Sequence, residues 1–92
     1  MGENAQRFGD ANTGGGTISS VLQSTVFVNS KLLSVDGSSV TTHGEDPAVH
    51  SGATTANGSL TVFADGTAVN RTGDVDSCTH VRTGGYDKVK VG

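Results

Sequence analysis

Four side chains in this sequence carry the nitrogen and sulfur atoms that transition metals prefer. They are the only three histidines and the only cysteine of the chain: His43, His50, Cys78 and His80. A structural zinc ion takes four such ligands in a tetrahedron, and one cysteine with three histidines is an allowed set. Residues i and i+2 of an extended strand point to the same side, so an extended Cys78-Thr79-His80 segment would present two donors together. These residues predict one zinc ion per chain.

The spacing of these donors differs from that of a standard zinc finger or ribbon. A simpler interpretation therefore stays open, in which the histidines are exposed loop residues and the cysteine is a buried thiol. Catalytic zinc would require an open coordination position and a general base. Glu45 is the carboxylate considered for that base, and no His-Glu-x-x-His pattern surrounds it. The sequence therefore favours a structural metal over a catalytic one.

Other candidate sites are weaker. Gly14-Gly15-Gly16 is not followed by the Gly-Lys-Ser/Thr of a phosphate-binding loop, so we interpret it as a flexible turn. Arg7 and Arg71 are expected to pair with carboxylates of nearby turns. Three aspartates in turn-rich sequence are expected to bond to their own backbone: Asp10, Asp74 and Asp76.

Composition limits the fold to a small β domain. The 92 residues include 14 glycines, and valine and threonine greatly outnumber leucine and methionine, which favours short strands and turns over helices. Only twenty residues are Val, Leu, Ile or Phe. A chain of this size with so few apolar side chains needs a disulfide, a metal or a partner for stability. A single cysteine excludes an internal disulfide, and this leaves the metal and the partner.

An internal repeat with an offset of 36 residues organises the chain. Thr25-Val26-Phe27-Val28-Asn29 matches Thr61-Val62-Phe63-Ala64-Asp65, and each run precedes a turn and a second short strand. Arg7-Phe8-Gly9-Asp10 likewise resembles Arg71-Thr72-Gly73-Asp74. We therefore predict a single all-β domain, 1–92, with an approximate three-part arrangement. Its parts are a half repeat (7–23), two hairpin repeats (24–44 and 59–80) and a closing strand (84–91).

Charge and hydropathy exclude several function classes. The net charge of −3 and the scattered Lys and Arg residues argue against a nucleic-acid partner. No apolar run is long enough to span a membrane. The N-terminal residues lack a basic region followed by an apolar stretch, so no signal peptide is expected.

The repeat, the Gly-Asp turns and the metal donors together resemble the PAAR-repeat (proline-alanine-alanine-arginine) proteins. These proteins form the tips of spikes in type VI secretion systems and contractile phage tails. The resemblance covers nearly the whole chain and is carried by Arg7-Phe8-Gly9-Asp10, Gly14-Gly15-Gly16-Thr17-Ile18 and residues 24–31, 59–74 and 84–91. The family tetrapeptide is Ala68-Val69-Asn70-Arg71 in the second copy, where only the arginine is in register.

The resemblance implies a small cone of β-hairpins with approximate threefold pseudo-symmetry. It also implies a zinc ion near the apex, bound by His43, His50, Cys78 and His80. The base would cap a trimeric β-helical spike, one tip per trimer, without enzymatic activity. Such a tip is made in the bacterial cytoplasm, resides at the spike apex, carries effector cargo in some systems, and contacts the target envelope transiently without stable insertion. Two alternatives stay open: a free-standing zinc module for protein binding, and a small zinc hydrolase.

Overall fold

Short antiparallel strands make up the regular structure in the computed structural model, which describes residues 2–44 and 51–92. These residues form no helix, which confirms the all-β prediction. In chain order the strands are β1 (Glu3–Ala5), β2 (Ile18–Ser20), β3 (Phe27–Val28), β4 (Lys31–Leu32), β5 (Ser39–Val40), β6 (Phe63–Ala64), β7 (Thr67–Ala68) and β8 (Tyr86–Val91).

The two hairpins expected from the 36-residue repeat are present. Strand β3 pairs with β4, and β6 pairs with β7, each antiparallel and joined by two residues. The linking residues all have positive φ: 51° and 69° at Asn29 and Ser30, and 51° and 80° at Asp65 and Gly66. Two consecutive residues with positive φ give the turn whose twist matches that of the flanking strands. Ser30 adopts this conformation although it is not a glycine.

The first and last strands of the chain pair with each other. Strand β8 lies antiparallel to β1, with Glu3 opposite Val91 and Asn4 opposite Lys90. The predicted closing strand begins at Tyr86, two residues later than expected, because Gly84 and Gly85 have positive φ. A further pair joins β2 to β5. The N-terminal segment, whose strand β1 has no hairpin partner next to it in the sequence, is therefore paired through β8.

A closed ring of three backbone hydrogen bonds links the N-terminal segment and both hairpin repeats. Ser34 N–H donates to Gln6 O at 2.9 Å, Gln6 N–H donates to Asn70 O at 3.1 Å, and Asn70 N–H donates to Ser34 O at 2.9 Å. All three residues are fully buried. Because each segment both donates and accepts, the ring requires all three to be in place.

The two Arg-x-Gly-Asp turns have the structural role expected for them. The peptide N–H groups of Arg7 and Arg71 each donate to the aspartate three residues later, both at 2.7 Å. The side chains also pair, at 3.5 Å for Arg7 with Asp10 and 2.8 Å for Arg71 with Asp74. This confirms the predicted pairing of these arginines with turn carboxylates.

One apolar cluster packs between the paired strands. In the closing strand, Val91 belongs to the cluster and Val89 packs against it. The other members come from β1, β6 and the segments that follow β4 and β7: Ala5, Leu33, Val35, Ala64 and Val69. The cluster contains no aromatic residue and is small for a chain of this length.

Candidate metal centre

Three of the predicted metal donors converge in the structure. The candidate ligand atoms of His43, Cys78 and His80 all lie within 4.8 Å of one another. His43 is buried, and the other two residues are half-buried. His43 follows β5, whereas Cys78 and His80 lie in the loop between β7 and β8, so the group joins segments 35 residues apart. The donors therefore form a buried group that could hold a metal ion.

The ring of His43 is oriented for coordination through its Nε2 atom. Its Nδ1 lies 2.7 Å from the Thr41 carbonyl oxygen. A carbonyl can only accept, so Nδ1 carries the proton and the Nε2 lone pair is directed elsewhere. Nε2 lies 3.3 Å from Cys78 Sγ. Nitrogen and sulfur ligands of one tetrahedral zinc ion are about 3.6 Å apart, given its usual bond lengths. A backbone carbonyl behind a ligating histidine is a common arrangement at metal sites.

Cys78 and His80 are brought together by a turn and not by a strand. Thr79 has a φ of +74°, so the predicted extended Cys78-Thr79-His80 segment is wrong. Asp76 N–H donates to His80 O at 2.8 Å, and Thr79 N–H donates to Asp76 O at 2.9 Å. These bonds close a tight turn over 76–80, which directs both donors toward His43. The expected proximity of the two donors was right although its cause was different. The aromatic rings of His43 and His80 have centroids 5.0 Å apart.

The glycine loop at 14–16 packs directly against the donors. A Cβ atom added to Gly14 would lie 1.8 Å from His80 Nδ1, and one added to Gly16 would lie 2.4 Å from His43 Nδ1. Real Cβ atoms do not approach other atoms this closely, so any larger residue would displace a histidine. Sequence reasoning interpreted this loop as a flexible turn and missed its role. Consecutive glycines with no phosphate-loop continuation could have indicated such a close approach.

A buried ion pair lies beside the donor group. Arg82 Nη2 is 3.1 Å from Asp76 Oδ2, and both side chains are 0% exposed. Burial lowers the pKa of Arg82, while the nearby carboxylate of Asp76 opposes that shift. Asp76 was expected to bond to its own backbone, but its Oδ2 pairs with Arg82 and with the Asn12 side chain, so that expectation was wrong. The composition of the sequence did not indicate that an arginine would be buried beside the metal donors.

The fourth predicted ligand lies outside the residues that the structure describes. His50 belongs to residues 45–50, as does Glu45, the carboxylate considered for a catalytic site. Its role as a ligand stays a prediction. The three described donors, one thiol and two imidazoles, match the ligand preferences of zinc and fit a site of that kind.

Two comparisons with known protein sequences found no match. The chain matches no protein-family model, and no curated protein matches its sequence. Among residues 2–44 and 51–92 no helix is long and apolar enough to cross a membrane.

Proposed function

We propose that this chain is a structural zinc protein of the PAAR-repeat type that caps a trimeric β-helical spike. The observation that carries the proposal is the convergence of His43, Cys78 and His80 from distant segments into one buried group. Zinc bound by these residues, with His50 as fourth ligand, would have no position left for a substrate. The metal would then stabilise the fold without catalysing a reaction.

A structural metal fits the energetic needs of the fold. The apolar cluster consists of alanine, valine and leucine only. In zinc-finger peptides the apparent binding free energy of a structural zinc ion is about 10–16 kcal/mol, and the stabilisation that such an ion gives a folded domain depends on the free zinc concentration. The metal group links the segment after β5 to the 76–80 turn, which the apolar cluster does not reach. Zinc would therefore stabilise a part of the molecule that lies outside the apolar cluster.

The finer architecture of the proposal is a cone with approximate threefold pseudo-symmetry and zinc near its apex. Two hairpins related by the repeat, the β1–β8 pair and the closed ring through Gln6, Ser34 and Asn70 support three similar sides. The molecule measures 36 × 25 × 22 Å, which is consistent with an elongated shape. A tip with three similar sides can contact three identical chains in nearly equivalent ways, so one tip per trimer is expected.

The proposed contact with the spike is mainly apolar. Phe27 and Phe63 occupy matching positions in the two hairpins, and each is 57% exposed. Contiguous exposed apolar patches are typical of protein contact surfaces, and we propose that these two side chains contribute to such a patch at the spike contact. The tip would be made in the bacterial cytoplasm, would reside at the spike apex, and would enter the target envelope only transiently. Under the same proposal the tip carries effector cargo in some systems and does not bind nucleic acid.

Metal content tests the zinc part of the proposal. Freshly purified protein, analysed by elemental mass spectrometry, should contain one zinc ion per chain. The same analysis on His50→Ala should show weaker retention after dialysis, because one ligand is lost. Substoichiometric metal in the native protein would count against a zinc staple.

Complex formation tests the spike part. Mixed with its cognate trimeric spike, the zinc-loaded chain should give one tip per trimer by multi-angle light scattering. An apolar interface should weaken little when salt is raised, unlike one that depends on charge. Three tips per trimer, or no complex at micromolar concentration, would exclude the spike-tip assignment.

A free-standing zinc module that binds another protein is the second candidate. The 91% exposure of Leu60 favours it, because this side chain lies beside the second hairpin and outside the repeat positions of the two phenylalanines. Such a module would bind zinc with the same stoichiometry and leave the trimeric spike unbound in the scattering experiment.

A further inference from the structure

The buried side chain of Asn12 connects the glycine loop to the donor group. Its Oδ1 accepts hydrogen bonds from the peptide N–H groups of Gly14 and Gly16, each at 2.9 Å. Asn12 itself is only 4% exposed. These two bonds hold the glycine loop in the conformation that leaves room for the histidine rings. They also fix the orientation of the amide, because an oxygen with two donors must face the loop.

The other end of the Asn12 amide faces the ligands and the turn that carries them. Its Nδ2 lies 2.9 Å from Asp76 Oδ2 and 3.5 Å from His43 Nε2. Asp76 is the first residue of the 76–80 turn, and its peptide N–H donates to His80 O. The Asn12 amide therefore contacts the Nε2 edge of His43. It also contacts Asp76, the first residue of the turn that positions the other two donors.

Arg82 completes the connection from the opposite side. Its Nη2 pairs with Asp76 Oδ2 at 3.1 Å and lies 3.3 Å from Gly16 O, and its Nη1 donates to Asp10 O at 3.2 Å. The guanidinium thus ties the turn to the same loop that Asn12 holds. We refer to Asn12, Asp76 and Arg82 together as the polar clamp.

The two ends of the polar clamp occupy equivalent places in the repeat. Asn12 N–H donates to Gly16 O, and Asp76 N–H donates to His80 O, both at 2.8 Å. The two residues are separated by the same 64-residue offset that relates the Arg-x-Gly-Asp turns. One loop of the pair carries metal donors, and the other carries glycines that make space for them. The side-chain hydrogen bond from Asn12 to Asp76 joins the two loops.

We propose that the polar clamp holds the metal donors in place before the ion binds, and that Asn12 is its central positioning residue. This inference rests on the proposed zinc binding. A site already ordered in the metal-free protein loses less conformational freedom on binding, and its affinity is higher for that reason. Residues that support metal ligands from behind typically contribute about ten- to hundredfold in metal affinity.

The test compares two buried asparagines. Asn12→Ala removes the clamp, whereas Asn70→Ala removes an equally buried amide whose partners are Ser34 and Asp36. Zinc affinity is measured by competition with a chromophoric chelator, and stability of the metal-free protein by urea unfolding. Both variants should be less stable. Only Asn12→Ala should lose about ten- to hundredfold in zinc affinity, while Asn70→Ala should stay within about threefold.

Cobalt spectroscopy distinguishes a change in the positions of the metal ligands from a change in the stability of the protein. Co²⁺ bound to thiolate and imidazole gives visible bands that depend on ligand geometry. Asn12→Ala should change the band pattern, and Asn70→Ala should reproduce that of the parent. Asn12→Ser keeps an oxygen that can accept from the glycine loop but loses the amide donor. If Asn12→Ser retains the parent zinc affinity, the link to Asp76 and His43 has no positioning role.

The unmutated protein provides a measurement that does not depend on folding of the variants. In the metal-free protein the side-chain NH₂ of Asn12 should be resolved by NMR and protected from solvent exchange. Rapid exchange there would overturn the preformed clamp. Equal zinc affinity of Asn12→Ala and the parent would overturn the positioning role alone. A parent that binds no zinc would overturn the proposed function, and the positioning role with it.

Discussion

The apolar cluster and the metal group are stabilised in different ways. The cluster is formed by aliphatic side chains on or beside paired strands, so its members are placed by the local alternation of each strand. The metal group depends on residues near positions 12, 43 and 76–82, which no local pattern brings together. The cluster should therefore stay folded when metal is absent, whereas the metal group should keep its geometry in that state only through the polar clamp.

Two arginine–aspartate pairs show the same contrast. Arg71 pairs with Asp74 at 2.8 Å with 25% of its side chain exposed, whereas Arg82 pairs with Asp76 at 3.1 Å with none exposed. The hydrogen bond to Asp74 raises the pKa of Arg71, whereas burial lowers the pKa of Arg82. For the arginine, pairing dominates at the half-buried site and desolvation at the fully buried one. Removal of one partner should therefore have unequal consequences.

The largest effect is expected from loss of the thiolate ligand. Cys78→Ser should abolish tight zinc binding and lower the melting temperature to that of the parent in excess chelator, because zinc binding then no longer stabilises the folded state. Thr42→Ser is the matched control, since Thr42 is exposed and occupies the position aligned with Cys78 by the repeat offset. Both are measured by calorimetry with and without EDTA. If Cys78→Ser melts with the parent, Cys78 is not a ligand.

Removal of the buried arginine should have the next largest effect. Arg82→Met leaves Asp76 buried without its cationic partner, which typically costs about 3–5 kcal/mol. Arg71→Met removes a pair whose arginine is one-quarter exposed, so water can partly solvate the remaining carboxylate, and it should cost less than Arg82→Met. Urea unfolding of the zinc-loaded proteins gives both values. Equal losses at the two sites would show that burial does not distinguish these pairs.

A truncation in the apolar cluster should act independently of the metal. Val69→Ala deletes two methyl groups at a fully buried position and should cost about 2 kcal/mol. The same cost is expected with zinc bound and with zinc removed, because Val69 lies in the cluster and not in the metal group. The experiment is urea unfolding in both conditions. A cost that disappears on zinc removal would indicate that the two regions fold as one unit.

The smallest effect is expected in the hairpin turns. Ser30 has a φ of +69°, a conformation that costs a non-glycine residue about 1–2 kcal/mol. Ser30→Gly relieves this cost but adds flexibility to the unfolded chain, so a net gain of about 0.5 kcal/mol is expected. Gly66→Ser is the reciprocal change in the second hairpin and should lose a similar amount. If both substitutions raised the free energy of unfolding, or both lowered it, the two turns would not be equivalent.

The sequence predicted the hairpins well because their causes are local. Alternating residues and two-residue turns such as Asp65-Gly66 act within a few positions. Residue type alone singled out His43, Cys78 and His80, which converge in the structure. The turn at Thr79 was not predictable, since threonine rarely has positive φ. The polar clamp was missed because burial of Arg82 depends on partners far away in sequence. The shared 64-residue offset of Asn12 and Asp76 was the one available signal.

The pairing of β1 with β8 has a consequence for folding during synthesis. Ala5 pairs with Tyr86, so the first strand has to wait until about 80 more residues have been made. At 5–20 residues per second this takes roughly 4–16 s. Both hairpins can close during that time, because their strands are close in sequence. The N-terminal strand meanwhile has an unpaired edge, which is open to contacts with other chains. Among the described strands, the β1–β8 pair is therefore the last that can form during synthesis.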